Sequence, residues 1–486
     1  MPIRCGLLGS GVLRFAGFDP MHARLLTVLL LMSWSAPASP ASLLPPDVRE
    51  SASALRDQAL QANAAYAIVE SLTTEVGPRL AGTDAEARAR GWSVAKLTEL
   101  GFDDVRVETF EMPTWIRGEE RAAIISPFPQ PIRLTALGNS GSTGPEGMTA
   151  EIVYFETIEA LEAMEEGSLT GKIAFVDHAM GKTQDGSSYG YFGRARFAGP
   201  RLAAERGAEA MLLRSVGTHS HRFPHTGGTS FGDVDPIPAA AVSPPDADQI
   251  RRIVERGEPI RVALTVTPER LGPQESGNVI ADIVGSERPD EIVITGGHLD
   301  SWDLGTGAVD DGAGVAITTA AVKLILDSGL RPQRTIRLVH WGAEEVGLIG
   351  ARAYAAAHAD EIGQYVGGSE SDFGAGRVYA LETGELSEEG EALVRELAAI
   401  LAPLGVALNL GAGGSGGPDL SPLNAAGMPV LRLAQDGRDY FDLHHTPDDT
   451  LDKIDAESMT QNVAAYAAFL WVLANTDVDL RAERPE

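Results

Sequence analysis

Glu291-Ile292-Val293-Ile294-Thr295-Gly296-Gly297-His298-Leu299-Asp300 is the stretch on which the fold turns. It opens with an apolar, β-branched run of strand length, which reads as a buried strand. Two glycines end the run, and side chains of metal-binding type follow. Thr335-Ile336-Arg337-Leu338-Val339-His340-Trp341 repeats the pattern and leads into Gly342-Ala343-Glu344-Glu345. Further strands are expected over 278–283, 376–381 and 429–433, and helices over 313–326, 350–358, 386–401 and 456–473. Strands alternating with amphipathic helices indicate an α/β fold with a largely parallel or mixed sheet. There is no internal repeat and no heptad pattern.

Toward the N-terminus, apolar residues at helical spacing predict a helix over 51–72. Gly77-Pro78-Arg79-Leu80-Ala81-Gly82-Thr83 reads as a loop. A second helix is expected over 84–100 with Gly101 as its C-cap, and residues 105–110 alternate like a strand. Residues 121–265 change character. Strand-like segments at 150–155, 172–176 and 210–213 and one helix near 199–207 are joined by long Gly/Ser/Thr/Pro runs, as in a separate, loop-rich unit.

Residues 1–41 read as a targeting leader. Arg24 precedes the apolar run Leu25–Met32, and Ala36-Pro37-Ala38 or Ser39-Pro40-Ala41 offers a small-x-small cleavage site. Met21 is an alternative start. The mature chain is then expected to be exported, periplasmic or extracellular, with no stable membrane insertion, because the apolar run is too short to span. Cys5 is the only cysteine and precedes the leader's apolar run, so neither a disulfide scaffold nor a catalytic thiol is expected in the mature chain. Across 486 residues, hydrophobic side chains make up 44%, enough for a sizeable core in two or more domains. The net charge of −29 lacks the basic footprint of a nucleic-acid binder, and no nucleic-acid partner is expected.

Chemistry gathers just past the strand ends, where open α/β sheets bind ligands. His298 and Asp300 follow the first strand and Glu344-Glu345 the second. Val309-Asp310-Asp311-Gly312 lies immediately before a helix; Glu370-Ser371-Asp372 and His444-His445-Thr446 come later. Taken singly, each is ordinary: acids in a first helical turn complement the helix dipole. Together they fit a co-catalytic metal site, in which two zinc ions share a carboxylate and a bridging hydroxide while another carboxylate moves protons. His298, Asp310, Glu345, Asp372 and His445 supply five ligands, and Glu344 the general base. Asp300 stands where it could accept the second ring N–H of His298. His219, His221 and His225 lie in a Gly/Thr-rich loop that reads as a lid or interface, or as a third metal site. The Gly411–Gly417 run carries no P-loop lysine; it reads as a flexible loop or as backbone approaching substrate beside Ser415 and Asp419.

With these residues in view, the chain resembles the co-catalytic di-zinc exopeptidases of the bacterial leucyl aminopeptidase superfamily, and most closely the carboxypeptidase Q (plasma glutamate carboxypeptidase) branch. The resemblance rests on Gly77–Thr83, Trp115-Ile116-Arg117-Gly118-Glu119-Glu120, Gly297–Asp303, Asp310-Asp311-Gly312, Glu344-Glu345, Glu370-Ser371-Asp372 and His444-His445-Thr446. It implies a three-layer mixed β-sheet flanked by helices, with an inserted β-rich protease-associated domain over 121–265 and catalytic parts over 42–120 and 266–486. It implies two Zn2+ per chain: Asp310 bridging, His298 and Asp372 completing one site, Glu345 and His445 the other, and Glu344 as proton shuttle. It places a cis peptide before Asp311. It selects His445 over His444 and implies a homodimer acting on dipeptides or short peptides, as a carboxypeptidase, dipeptidase or aminopeptidase. Rival readings are a single-zinc glutaminyl cyclase and a non-catalytic receptor-like ectodomain.

Overall fold

The strand Arg288–His298 lies inside a five-stranded sheet, flanked by Arg334–Trp341 and Tyr365–Glu370. This computed structural model describes residues 42–482; the leader and Cys5 fall outside them. Glu269–Ile283 and then Asp104–Ile116 complete the sheet beyond Arg334–Trp341. Arg334–Trp341, Arg288–His298 and the edge strand Tyr365–Glu370 run parallel, and the two pairings made by Glu269–Ile283 are antiparallel. A mixed sheet results, with helices packed on it.

Register aligns the functional ends. His298 pairs with Trp341 and Gly296 with Glu370, so three parallel strands deliver their carboxyl ends to one edge. Gly297 lets this edge close. A Cβ there would lie 2.4 Å from Asp311 Oδ2 and 2.7 Å from the Val315 nitrogen. The helix Ala313–Asp327 is apolar on nearly every face and packs between the sheet and the helix Ala456–Ala474. Such all-round apolarity is the mark of an interior helix.

Several expectations are corrected in detail. The helix expected over 51–72 is two helices, Pro46–Ala59 and Ala65–Glu75. Asn63 divides them: its amide donates to the Ala59 carbonyl at 3.2 Å and accepts the Ala65 N–H at 3.0 Å, satisfying both helix ends locally. The strand Tyr365–Glu370 was hidden by Gly367-Gly368. A side chain at Gly368 would meet the Ile294 carbonyl at 2.5 Å, so glycine is what permits the strands to approach. Val378–Thr383 and Leu431–Gln435 belong to a separate three-stranded sheet with Ala407–Asn409, joined to the main one by a parallel bridge from Gly368 to Val430.

Residues 120–266 carry an eight-stranded mixed sheet of their own. One helix was expected there, and more are present, among them Tyr189–Phe197 and Pro244–Val254. Pro244-Pro245 reads as a loop in sequence but starts the second of these, with Ser243 accepting the Asp246 N–H as its cap. No helix among the described residues is long and apolar enough to cross a membrane.

Candidate metal centre

Asp310 sits at the middle of the polar cluster. Its Oδ1 is 3.1 Å from His298 Nε2, and its Oδ2 is 3.3 Å from His445 Nε2. Asp372 Oδ1 approaches His298 Nε2 to 3.6 Å from one side. Glu345 Oε2 approaches His445 Nε2 to 2.8 Å from the other. The five sequence-nominated ligands therefore converge, and one carboxylate stands between two half-sites. Glu344, half-buried, lines the same cavity of about 590 Å³.

The local fold explains this convergence. Asp310 is held from behind by Asp449, whose carboxylate accepts the N–H of Val309 at 2.6 Å and of Asp310 at 3.2 Å. The Asp310–Asp311 peptide is cis, as the resemblance implies. Asp311 serves the backbone: its carboxylate accepts the main-chain N–H of His298 and of Gly314, at 3.1 and 3.0 Å. Arg79, fully buried, donates to the carbonyls of Leu299, Thr306 and Gly307 and so clamps the loop between His298 and Asp310. Arg79 and Asp449 carry this geometry, yet sequence reasoning gave neither a role. Their signals were present in the loop 77–83 and in the acids after His445.

Asp300 differs from its expected role. His298 Nδ1 donates to the main-chain carbonyl of Asp300 at 2.9 Å, while the carboxylate stays 3.9 Å away. That carboxylate instead accepts the N–H of Glu344 and Glu345 at 3.0 and 3.3 Å. Asp300 thus fixes the His298 ring with its backbone and the two glutamates with its side chain. His445 Nδ1 donates in turn to the Thr226 carbonyl at 3.2 Å, which leaves Nε2 free to face Glu345. His444 stacks on His445 at 3.5 Å between ring centroids, with its Nε2 3.8 Å from Asp310.

Charge in the cluster is unbalanced. Burial raises the carboxyls of Glu344 and Glu345 above the ordinary range, and acidic neighbours add to it. Burial would drive the His298 imidazolium down, but Asp372 and Asp310 pull it well above its usual value. Against burial, acidic neighbours pull His445 upward too, so the cluster favours positive charge beside its acids. Asp310 Oδ2 and Glu345 Oε1 are buried with no hydrogen-bond partner among the described residues. Buried carboxylate oxygens without partners are costly, and cations are their natural complement. Ligand atoms of His298, Asp310 and Glu345 lie within 4.8 Å of one another, as do those of Asp310, His444 and His445 and those of His298, Asp311 and Asp372. Imidazole nitrogens mixed with carboxylate oxygens suit a small divalent cation.

The chain as a whole is similar to known proteins. A family model described as Peptidase family M28 matches residues 278–470, the span that contains every candidate ligand. Human carboxypeptidase Q is 36% identical over 417 residues, covering 85% of this chain and 86% of that protein. This chain belongs to peptidase family M28. The crystal structure of a Peptidase M28 precursor from Shewanella amazonensis SB2B agrees with a TM-score of 0.88 at 48% identity, covering 90% of this chain and 99% of that one. A zinc aminopeptidase from Bacillus subtilis shares the fold, with a TM-score of 0.62 at 20% identity, over 86% of this chain and 97% of its own. The M28 fold is thus a mixed α/β architecture in both chains.

Two other sequence features are relocated. His219, His221 and His225 form a stack, with centroids 4.7 Å apart for His219–His225 and 5.6 Å for His219–His221. Stacked rings do not converge on one ion, and these three form no ligand group among the described residues. His225 Nδ1 instead donates to the His444 carbonyl at 2.5 Å. Gly414–Gly417 do line the cavity with Ser415, but Asp419 lies behind them. Its N–H donates to Glu370 at 2.8 Å, and burial, then Asp372, pushes the Glu370 carboxyl up to about 8.

Proposed function

We propose that this M28 peptidase is an exported exopeptidase that holds two zinc ions and hydrolyses terminal peptide bonds of dipeptides or short peptides. The observation that carries the reading is Asp310, whose two oxygens face His298 and His445 separately. In this reading His298 and Asp372 would hold one ion, Glu345 and His445 the other, and Asp310 would serve both. His445 is preferred to His444 because its Nε2 lies nearer both Asp310 and Glu345. When bound, zinc supplies Lewis acidity toward the scissile carbonyl and toward the attacking water.

The chain's own residues do the rest. Glu344 takes the proton from water and passes it to the leaving amine. Asp300 holds the Glu344 backbone in place. Phe373, Tyr440 and Phe441 give the cavity an apolar wall, and Gly414–Gly417 let main chain approach the substrate. Residues 121–265 serve as a protease-associated domain on the catalytic parts 42–120 and 266–486; Tyr189, Arg196 and Phe197 from it line the cavity, which supports a role in substrate binding. Export and a homodimer follow from the leader and the resemblance. The likeness to carboxypeptidase Q favours carboxypeptidase or dipeptidase action over aminopeptidase action.

Zinc analysis and a blocked-substrate assay test the proposal together. About two zincs per chain and cleavage of free dipeptides are expected; one zinc would favour a cyclase, and none a binding module. Dipeptides blocked at each end in turn identify the terminus that must be free.

A further inference from the structure

Two of the sequence motifs, Trp115–Glu120 and Ser301–Asp303, have no part in the chemistry above. In the structure they interlock. Arg117 Nε and Nη2 pair with the two oxygens of Asp303, each at 2.8 Å. The same guanidinium donates to Glu120 at 2.6 Å, to the Ala136 carbonyl at 2.8 Å and to Thr226 Oγ1 at 3.0 Å. Trp115 meets Trp302 edge-on at 6.4 Å, and Trp302 lies 5.8 Å from the His445 ring.

Thr226 is where this network ends. A ligand histidine needs its second nitrogen held, because that contact sets ring angle and tautomer. For His298 the holder is the carbonyl of Asp300, on its own loop. For His445 it is the carbonyl of Thr226, from a distant part of the chain. The Thr226 N–H also donates to the His445 carbonyl at 3.0 Å, so the two main chains clasp each other. Neither half of that clasp can position the other. Two side chains anchor it independently: Arg196 Nη1 donates to the Thr226 carbonyl at 3.3 Å, and the Thr226 hydroxyl accepts from Arg117 and donates to the Ala136 carbonyl at 2.8 Å.

We infer that Arg117 is a positioning residue for the His445 half of the centre, acting through Thr226 and tied by Asp303 to the loop that carries His298. The inference rests on the two-zinc reading above. The planar guanidinium reaches Asp303, Thr226 and Ala136 in one plane, which the point charge of lysine cannot do. The Thr226 link itself touches neither His298 nor Asp372, so its loss strikes the His445 half-site and leaves the Asp303 pairing beside the other in place.

Zinc affinity measured by chelator competition on the full-length enzyme tests this, with wild type compared to Arg117→Lys, Thr226→Val and Thr226→Ser. Thermal unfolding monitors the fold. Wild type is expected to hold two zincs. Arg117→Lys and Thr226→Val should keep one at wild-type strength and bind the other roughly 10–100-fold more weakly. kcat should fall while KM stays nearly constant, and Thr226→Ser, which keeps the hydroxyl, should restore wild-type behaviour. If both variants hold two zincs with wild-type resistance to chelator, or lose both equally, the inference is overturned. If Arg117→Lys does not fold, Thr226→Val decides alone, since it keeps the Asp303 pairing and the main-chain clasp. A wild type with a single zinc overturns the two-ion reading instead; the variants then decide by whether they weaken that ion.

Discussion

The carboxylate of Asp300 accepts the main-chain N–H of Glu344 at 3.0 Å. The residue that follows one strand thereby fixes the residue that follows the next. Asp300→Ala frees the Glu344-Glu345 turn while leaving the carbonyl that steadies His298. Its kcat is expected to drop about 10–100-fold with zinc content preserved. Steady-state kinetics beside metal analysis checks this; unchanged kcat would remove Asp300 from the mechanism.

Glu344→Gln keeps shape and removes the proton carrier. Turnover should fall ~10²–10⁴-fold, chiefly in kcat, at wild-type zinc content and melting temperature. Full activity in this variant would show that another group carries the proton.

Removing metal should destabilise the fold. Asp310, Glu345, Asp372 and Glu344 crowd one buried space, and cations relieve their repulsion. A ligand at a thousandfold excess over its Kd stabilises by about 4 kcal/mol. Chelated protein should therefore melt several degrees below the zinc-loaded form, and Asp310→Asn should show no zinc-dependent shift.

His340 predicts an acid limit. It is buried between Ser93 and Thr319, whose hydroxyls lie 2.7 and 2.8 Å from its two nitrogens, and burial pushes its pKa down to about 3. The folded value lies below the ordinary 6.5, so stability from neutral His340 is full above pH 6.5 and is lost as the pH falls toward 3. In that window the loss approaches about 1.4 kcal/mol per pH unit. His340→Gln, a neutral amide, should flatten the dependence of melting temperature on pH between 6.5 and 3. A parallel curve for wild type and variant would contradict it.

The histidine stack should hold no ion. His221→Ala is expected to leave zinc stoichiometry unchanged, whereas His225→Ala, which loses the bond to the His444 carbonyl, should lower activity. Loss of one zinc in His221→Ala would restore a third site.

The parallel strands were legible because 291–295 and 335–341 are apolar runs with abrupt polar ends, and burial on both faces imposes that pattern. His298, Glu344 and Glu345 were legible through their place at those ends, whereas Asp310 and Asp372 were nominated by residue type and His445 by the resemblance. What stayed hidden depended on long-range contact. Tyr365–Glu370 carries glycines because the neighbouring backbone presses on it, and a glycine pair reads as a turn. Asp300 was assigned the right neighbour with the wrong group, since residue spacing does not separate a carbonyl from a carboxylate. Arg79 and Asp449 serve backbone atoms far away in sequence, and no local pattern announces that.

The Thr226–His445 contact joins positions 219 residues apart. Pairings of such separation close late in folding, because the loop entropy must be met before the contact returns anything. In the two-zinc reading, the half of the centre that includes His445 is complete only once this long-range contact has closed. A chain truncated before His445 would then lack that half of the site.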